Sequence, residues 1–249
     1  MSAPAFLAIS HGTSSPEGAA AVADYVDAIA AAAAGRFPGA LVAGGFVDVQ
    51  QPDVPNVLGG LDESAEAVVV PLLLSAGYHV RVDLRRDLDA ERRPSALAGA
   101  LGPDHRLIDV LVRRLHEAGL RRDDVVVLAA AGSSDAHAVE DCRVVAQHLG
   151  LRLRRPVSVG FISAATPALP DAVAAARAAR PGARVVVATY LLAPGYFAGL
   201  AEDAGGDVTS APLLTVGAPV PPELVAVALD RYQEASVRVA QPVRERALA

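Results

Sequence analysis

Residues 68–87 read VVVPLLLSAGYHVRVDLRRD, and the organisation of the whole chain follows from this stretch. An apolar run ends at Ser75, a turn follows through Gly77, and a cationic amphipathic segment begins after His79. A short run of branched apolar residues bounded by turn formers predicts a strand buried on both faces in a parallel sheet. His79 then lies just beyond the carboxyl end of that strand, where open α/β sheets bind their ligands.

Apolar runs and helical stretches alternate along the rest of the chain. The predicted strands are Ala5–Ser10, Leu41–Val47, Ala67–Leu74 and Ser95–Leu101, and from Asp124 the order begins again with VVVLAAAGSSD, VSVGFIS, VVVATYLLAPGYF and a weak strand near Val208. The predicted helices are Pro16–Ala34, Pro52–Asp62, Pro103–Ala118, one ending near Leu149, Pro167–Ala179 and one from Pro221. Strands that alternate with helices predict βαβ units and an α/β fold with parallel sheets.

The two halves of the sequence are copies of each other, with offsets of 120, 115 and 118 residues at three successive strand ends. The repeat predicts two similar domains, 1–120 and 121–249. At the three strand ends the first copy carries His11, Asp48 and His79, whereas the second carries Ala131, Ser163 and Phe197. Because the second copy is expected to fold without these polar groups, they indicate a function in the first copy.

Two imidazoles and a carboxylate at adjacent strand ends are expected to converge at one edge of the sheet. Histidine binds first-row divalent metals and titrates near neutral pH, so the trio suits metal binding with open positions and proton transfer. The trio does not suit a closed structural zinc site, which normally has four ligands and more thiolate. Taken singly, each residue has an alternative interpretation as a capping or hydrogen-bonded group.

A cluster of arginines follows His79. Arg81, Arg85 and Arg86 share one broad face if the segment is helical, and guanidinium groups bind carboxylates and phosphates well. Intrahelical pairs with Asp83, Asp87 and Asp89 are the alternative. Similarly, the hydroxyls of residues 12–15 either bind an anion at the following helix or cap that helix. No nucleotide-binding glycine motif follows either first strand.

Composition narrows the classes of function. The net charge is −6 and aromatic residues make up 4%, so the sequence predicts no nucleic-acid partner. The single cysteine excludes an intrachain disulfide. No signal sequence or membrane span is predicted, and we expect a cytoplasmic protein. The other histidines are expected on solvated helix faces: His105, His116, His137 and His148.

These motifs resemble the class II tetrapyrrole metal chelatases, in particular the long, duplicated form of the sirohydrochlorin chelatase family. The similar motifs are Ile9–Thr13, Phe46–Asp48 followed by Pro52, and Pro71–Leu74 leading to Gly77–His79. The resemblance implies two chelatase-like α/β domains that face each other across a cleft, with the active-site residues in the first. Shorter relatives pair two chains, so the duplication implies a monomer.

The resemblance also implies the activity, which is ATP-independent insertion of Fe2+ or Co2+ into sirohydrochlorin for siroheme or cobalamin, a lyase reaction with no cofactor beyond the substrate metal. His11 and His79 match the family's metal-binding and proton-accepting histidines, and Asp48 stands where relatives often have glutamate. The expected substrate contacts are Arg81, Arg85, Ser10, Thr13, Tyr78 and Phe197. A metal- or tetrapyrrole-binding carrier is the alternative, and a metal-independent lyase or hydrolase is a third hypothesis.

Overall fold

The computed structural model describes residues 3–75, 77–90 and 93–239, and within this part the side chains of residues 78–81 are not described. The strands are β1 (Ala5–Ser10), β2 (Val42–Phe46), β3 (Ala67–Pro71), β4 (Ser95–Leu97), β5 (Val125–Ala130), β6 (Val157–Phe161), β7 (Val185–Tyr190) and β8 (Val208–Thr209). The helices are α1 (Pro16–Arg36), α2 (Val54–Gly59), α3 (Tyr78–Ala90), α4 (His105–Glu117), α5 (Ala136–Leu153), α6 (Leu169–Ala179), α7 (Tyr196–Glu202) and α8 (Pro222–Val239).

Two parallel four-stranded sheets are formed, with the orders β2-β1-β3-β4 and β6-β5-β7-β8. Both central strands of each sheet are wholly or almost wholly buried, as continuous apolar runs in parallel sheets should be. The α/β fold with two similar domains is therefore confirmed.

The registers of the two sheets repeat the offsets seen in the sequence. Ser10 pairs with Phe46 in the first sheet, and Ala130 pairs with Phe161 in the second. The loops beyond β2 and β6 also correspond, because each contains a cis proline, Pro52 or Pro167. The duplication is thus present in the backbone and not only in the sequence.

Helix α3 is held on the first sheet by its apolar stripe. Leu84 and Leu88 are buried in one cluster with Leu7 and Val69 of the sheet and Leu58 of α2. Their spacing of four residues is that of one helix face. The helix that begins beside His79 is therefore fixed to the sheet through its later turns.

The last helix belongs to the first sheet rather than to the second. The rings of Tyr232 and Phe6 are stacked with centroids 4.7 Å apart, and the Tyr232 hydroxyl donates to the Pro4 carbonyl at 2.6 Å. Burial raises the pKa of Tyr232 to about 12. Farther along α8, Arg238 donates to the Leu97 carbonyl at 2.9 Å. Helix α8 thus covers the face of the first sheet opposite α2 and α3.

The chain forms two compact units, and each unit is made of segments that are not contiguous in the sequence. Described residues of Met1–Gly12, Ala23–Leu101 and Val225–Ala249 make the first unit, and Thr13–Val22 with Gly102–Leu224 makes the second. The division at residue 120 remains a prediction about the repeat. The compact units differ from it at α8 and at the first turns of α1.

Several predicted bounds were too generous at element ends. Helix α2 begins at Val54 and not at Pro52, because the Asp53 carboxylate caps it by accepting from the Asn56 N–H at 3.0 Å. Strand β4 stops at Leu97, although the Leu101 N–H still donates to the Leu73 carbonyl. Helix α1 is long and apolar enough to cross a membrane by composition. Its stripe of residues at every fourth position is buried in the fold: Ala21, Tyr25, Ile29 and Ala33.

Candidate functional site

The carboxyl edge of the first sheet brings His11 and Asp48 together. The pairing of β1 with β2 continues past the strands, because Val47 donates its N–H to the Ser10 carbonyl at 2.9 Å and Asp48 donates to the His11 carbonyl at 3.0 Å. Both side chains are exposed. Two of the three predicted functional residues are therefore backbone neighbours at an accessible sheet edge.

The Asp48 carboxylate is partly engaged by its own loop. One oxygen, Oδ1, accepts from the Val49 N–H at 2.7 Å. Val49 has a φ of 66°, which is unusual for a branched residue, and its side chain is 58% exposed. The loop thus orients the carboxylate and presents an apolar side chain beside it, a feature that the sequence analysis did not identify.

Gly12 is required by the close approach of the two strand ends. Its φ is 93°, and a Cβ at this position would lie 2.0 Å from the Asp48 carbonyl oxygen. Only glycine has neither the steric cost of that φ nor a side chain to place there. The residue after His11 therefore sets the contact with the Asp48 loop.

The third predicted residue, His79, is the second residue of α3, which follows the carboxyl end of β3. Its side chain lies outside the described part of the structure, as do those of Tyr78 and Arg81. Among the described side chains, no group of three His, Cys, Asp or Glu residues is assembled for a metal ion. The metal-binding role of the trio stays a prediction.

Two arginines of α3 have different surroundings. Arg86 lies 3.5 Å from the Asp83 carboxylate and 3.7 Å from that of Asp87. Arg85 is exposed and makes no ion pair or hydrogen bond with any described residue. The intrahelical pairs considered for this cluster are therefore present at Arg86, whereas Arg85 has a guanidinium group available for an anion.

The hydroxyl groups after β1 serve mainly as helix caps. Thr13 Oγ1 accepts from the Ser15 N–H at 3.1 Å, and Ser15 Oγ accepts from the Gly18 N–H at 3.2 Å. Ser10 is 4% exposed at the end of its strand. The capping interpretation accounts for Thr13 and Ser15, and Ser10 offers little surface to a ligand.

The carboxyl edge of the second sheet has the same backbone arrangement, but Ala131 and Ser163 stand there in place of His11 and Asp48. Ser163 donates its N–H to the Ala131 carbonyl at 2.9 Å, and its hydroxyl donates to the same oxygen at 3.1 Å. Gly132 has a φ of 90°, and a Cβ there would lie 1.8 Å from the Ser163 carbonyl oxygen. The backbone arrangement around His11 and Asp48 is thus a property of the repeated fold.

Aromatic residues begin α7 where Tyr78 and His79 begin α3. Phe197 is half-buried, and Tyr196 beside it is 75% exposed. The two ring centroids are 6.1 Å apart. An apolar surface therefore occupies the position in the second copy that corresponds to His79.

The remaining histidines are all exposed on helices, as their sequence context predicts. His137 Nδ1 lies 3.3 Å from the carboxylate of Asp135, which caps α5. His105 lies 3.6 Å from Asp104, which caps α4. These contacts place two of the histidines at helix N-termini rather than in the sheet edge that carries His11.

Comparison with known proteins gives both a family and a fold. The profile of the CbiX family matches residues 5–118 and 125–201. No curated protein sequence is a significant match.

Three solved structures share the architecture. The structure of SirB from Bacillus subtilis with Fe3+ has a TM-score of 0.78 and 20% identity over 96% of this chain and 98% of that one. The structure of the sirohydrochlorin chelatase SirB from Bacillus subtilis subspecies spizizenii in complex with cobalt has a TM-score of 0.70 and 19% identity, over 96% of this chain and 97% of that one. DR2241 from Deinococcus radiodurans, a multi-domain protein with structural similarity to chelatases, has a TM-score of 0.63 and 21% identity, over 92% of this chain and 54% of that one. At these identities the likeness shows the fold.

Proposed function

The chain belongs to the CbiX family, and on that premise we propose that it inserts Fe2+ or Co2+ into sirohydrochlorin without ATP, for siroheme or cobalamin. This agrees with the sequence resemblance to the sirohydrochlorin chelatases. The SirB structures with Fe3+ and with cobalt support the proposal. The observation that carries it is the sheet edge where His11 and Asp48 are hydrogen-bonded neighbours while the second copy has Ala131 and Ser163.

The proposed reaction exchanges two pyrrole protons for one metal ion. The incoming ion loses water molecules as it binds His11 and His79. As the ion passes to the macrocycle nitrogens, each imidazole nitrogen is freed and accepts one of the two pyrrole N–H protons. Histidine is suited to both tasks because its pKa is near neutrality in the absence of perturbation. The Asp48 carboxylate assists by holding positive charge at the edge. No hydride, acyl or phosphoryl group is transferred, so no further cofactor is required.

Arginine provides the proposed contact with the macrocycle periphery. Sirohydrochlorin carries acetate and propionate groups, which a protein with a net charge of −6 would otherwise repel. Arg85 is the described arginine of α3 with no ion-pair partner, and Arg81 precedes it by one turn. We propose these two as anchors, with Phe197 and Tyr78 as apolar contacts and Thr13 as a minor polar one.

The experiment that tests the proposal is an insertion assay followed by the absorbance of the metallated pigment. Wild-type protein is mixed with sirohydrochlorin and Fe2+, Co2+ or Ni2+, and the ratio of rates identifies the preferred ion. In the variant His79→Ala we expect insertion to fall by about a thousandfold, because a ligand and a proton acceptor are both removed. Unchanged rates in a folded variant would exclude His79 from the mechanism.

A carrier is the second candidate, and the hydrogen bond from Val49 to the Asp48 carboxylate is the observation that favours it. One of the two Asp48 carboxylate oxygens already accepts a backbone hydrogen bond, which leaves fewer lone pairs for a metal ion. Separate titrations with metal and with sirohydrochlorin distinguish the two functions, since a carrier binds without producing the metallated pigment. We further propose a monomer, because one chain contains both copies of the repeat, and we keep the cytoplasmic location expected from the sequence as part of the proposal.

A further inference from the structure

The first turn of α1 is in contact with the loop that precedes α7. Both segments belong to the second compact unit, which contains Thr13–Val22 as well as the residues around Pro194. The chain therefore passes from the first unit to the second directly after His11 and Gly12. What holds the segment beginning at Thr13 in place is thus relevant to the residue two positions before it.

Gly18 lies where a side chain has no room. A Cβ on Gly18 would be 2.4 Å from the Pro194 carbonyl oxygen and 3.1 Å from Thr13 Cγ2. Real Cβ atoms do not approach a backbone oxygen so closely. Gly18 is the third residue of α1, and its lack of a side chain leaves the space into which the Pro194 backbone approaches.

The second copy shows that the repeated fold itself does not need this glycine. Thr13 Oγ1 accepts from the Ser15 N–H, as Ser133 Oγ accepts from the Asp135 N–H, so the two helix starts align with an offset of 120. The residue of α5 that corresponds to Gly18 is Ala138, which is 1% exposed. Alanine is thus accommodated at this position in the second copy, whereas in the first copy its Cβ would lie 2.4 Å from the Pro194 carbonyl oxygen.

A second glycine completes the contact from the other side. Gly195 precedes α7 with a φ of 149°, and a Cβ on it would lie 3.4 Å from Thr13 Oγ1 and 3.6 Å from Ser15 Cβ. Tyr196 and Phe197 follow immediately. The side chains of Thr13 and Ser15 therefore pack against the backbone that leads into the aromatic start of α7.

We propose that Gly18 and Gly195 are positioning residues, through which the second copy fixes the loop that follows His11 relative to the aromatic pair Tyr196 and Phe197. The caps transmit the contact, because the Ser15 hydroxyl bonds the Gly18 N–H and Thr13 bonds the Ser15 N–H. The consequence for substrate rests on the proposed function. A macrocycle that contacts both segments binds weakly when their spacing changes, while the metal donors themselves are unaltered.

The test compares Gly18→Ala with Gly35→Ala, a variant in the same helix whose new Cβ meets nothing within 4 Å. Amide hydrogen exchange of the ligand-free proteins is measured by mass spectrometry on peptides covering residues 11–18 and 192–200. We expect faster exchange in both peptides for Gly18→Ala and wild-type exchange for Gly35→Ala. Exchange equal to that of Gly35→Ala would overturn the proposed contact.

The second measurement is the affinity for sirohydrochlorin without metal, together with KM and kcat for insertion. We expect Gly18→Ala to weaken affinity and raise KM by roughly tenfold, with kcat changed less than about threefold, because a misplaced segment alters positioning rather than the donors. If exchange rises but affinity and KM stay at wild-type values, the glycines are structural only.

A second variant with its own control keeps the proposal open to refutation if Gly18→Ala does not fold. Gly195→Ala places its Cβ 3.4 Å from Thr13 Oγ1, and the φ of 149° adds backbone strain. Gly217→Ala is the control for that strain, because Gly217 has a φ of 73° and a Cβ there meets nothing within 4 Å. Smaller exchange and KM changes than in Gly18→Ala are expected for Gly195→Ala, and none at these sites for Gly217→Ala. Wild-type protein that neither binds nor metallates sirohydrochlorin contradicts the proposed function and the substrate consequence drawn from it. The exchange comparison still decides whether the contact exists.

Discussion

The carboxyl edges of the two sheets have the same backbone and different side chains. In both, a glycine with positive φ follows the first strand and lies against the carbonyl of the loop after the second strand, at Gly12 and at Gly132. In the first copy this framework presents His11 and Asp48, and in the second it presents Ala131 and Ser163. The glycines therefore serve the fold, whereas the histidine and the carboxylate are additions that the fold does not require.

The largest effect that this comparison predicts is the loss of metal insertion in His11→Ala. This substitution places at the first sheet edge the alanine that the second copy has at Ala131. We expect the rate to fall by about a thousandfold, since His11 is a proposed ligand and proton acceptor. The free energy of unfolding should change by less than about 0.5 kcal/mol, because the side chain is exposed and Ala131 occupies the same backbone position.

Ala131→His is the matched control for that variant, and it should add no activity. Metallation is followed by absorbance and unfolding by denaturant titration. A His11→Ala protein that keeps more than a tenth of the wild-type rate would contradict the assignment of function to the first edge.

The next largest expected effect is on the free energy of unfolding, and it concerns the two edge glycines, Gly12 and Gly132. Gly12→Ala and Gly132→Ala should each lower the free energy of unfolding by about 3 kcal/mol, because a Cβ meets a carbonyl oxygen at 2.0 Å or 1.8 Å. Gly39→Ala is the control for backbone strain alone, since its φ is 84° with open space around it, and it should cost only about 1 kcal/mol.

The two edge glycines should differ in activity. The folded Gly12→Ala protein is expected to insert metal more slowly, because the change separates His11 from the Asp48 loop. The folded Gly132→Ala protein should keep its kcat/KM. Equal losses of activity in the two variants would mean that the second edge also takes part in catalysis.

Asp48→Ser tests the carboxylate with the residue of the second copy. We expect kcat/KM for insertion to fall about thirtyfold, a smaller loss than at His11 because Asp48 only assists. The fold should be retained, since Ser163 donates the same backbone hydrogen bond in the second sheet. Activity at the wild-type level across Fe2+ and Co2+ would remove Asp48 from the site, and Ser163→Asp is the matched variant that should gain nothing.

The sequence alone predicts the neighbourhood of His11 and Asp48, because parallel strands with buried apolar runs place their carboxyl ends at one edge. It does not predict where α8 packs. An amphipathic helix indicates that one face is buried, but not against which sheet, and the stacking of Tyr232 on Phe6 joins residues at opposite ends of the chain. The contact of Gly18 with Pro194 is hidden for the same reason, since a glycine in an alanine-rich helix carries no sign of its distant partner.

The amino ends of the two sheets differ as well. Before β5, the Arg184 side chain donates to both carboxylate oxygens of Asp124, at 3.0 Å and 2.7 Å. The corresponding residues of the first copy are Pro4 and Glu66, and there the Pro4 carbonyl accepts from Tyr232 instead. At the amino end of the second sheet an ion pair joins the residues before β5 and β7, whereas at that of the first sheet the residue before β1 is hydrogen-bonded to helix α8.

This difference predicts a pH dependence that belongs to the second sheet. The hydrogen bonds from Arg184 hold the pKa of Asp124 below its usual value, so the carboxylate stabilises the folded state fully above the unfolded pKa, and this stabilisation is lost as the pH falls towards the folded pKa. Asp124→Asn should lower the free energy of unfolding by about 1.5 kcal/mol at pH 7. Its stability should also fall less than that of wild type on acidification to about pH 3. The exposed neighbour Asp123→Asn is the control, and an Asp124→Asn protein with the full acid dependence of wild type would show that the ion pair does not stabilise the second sheet.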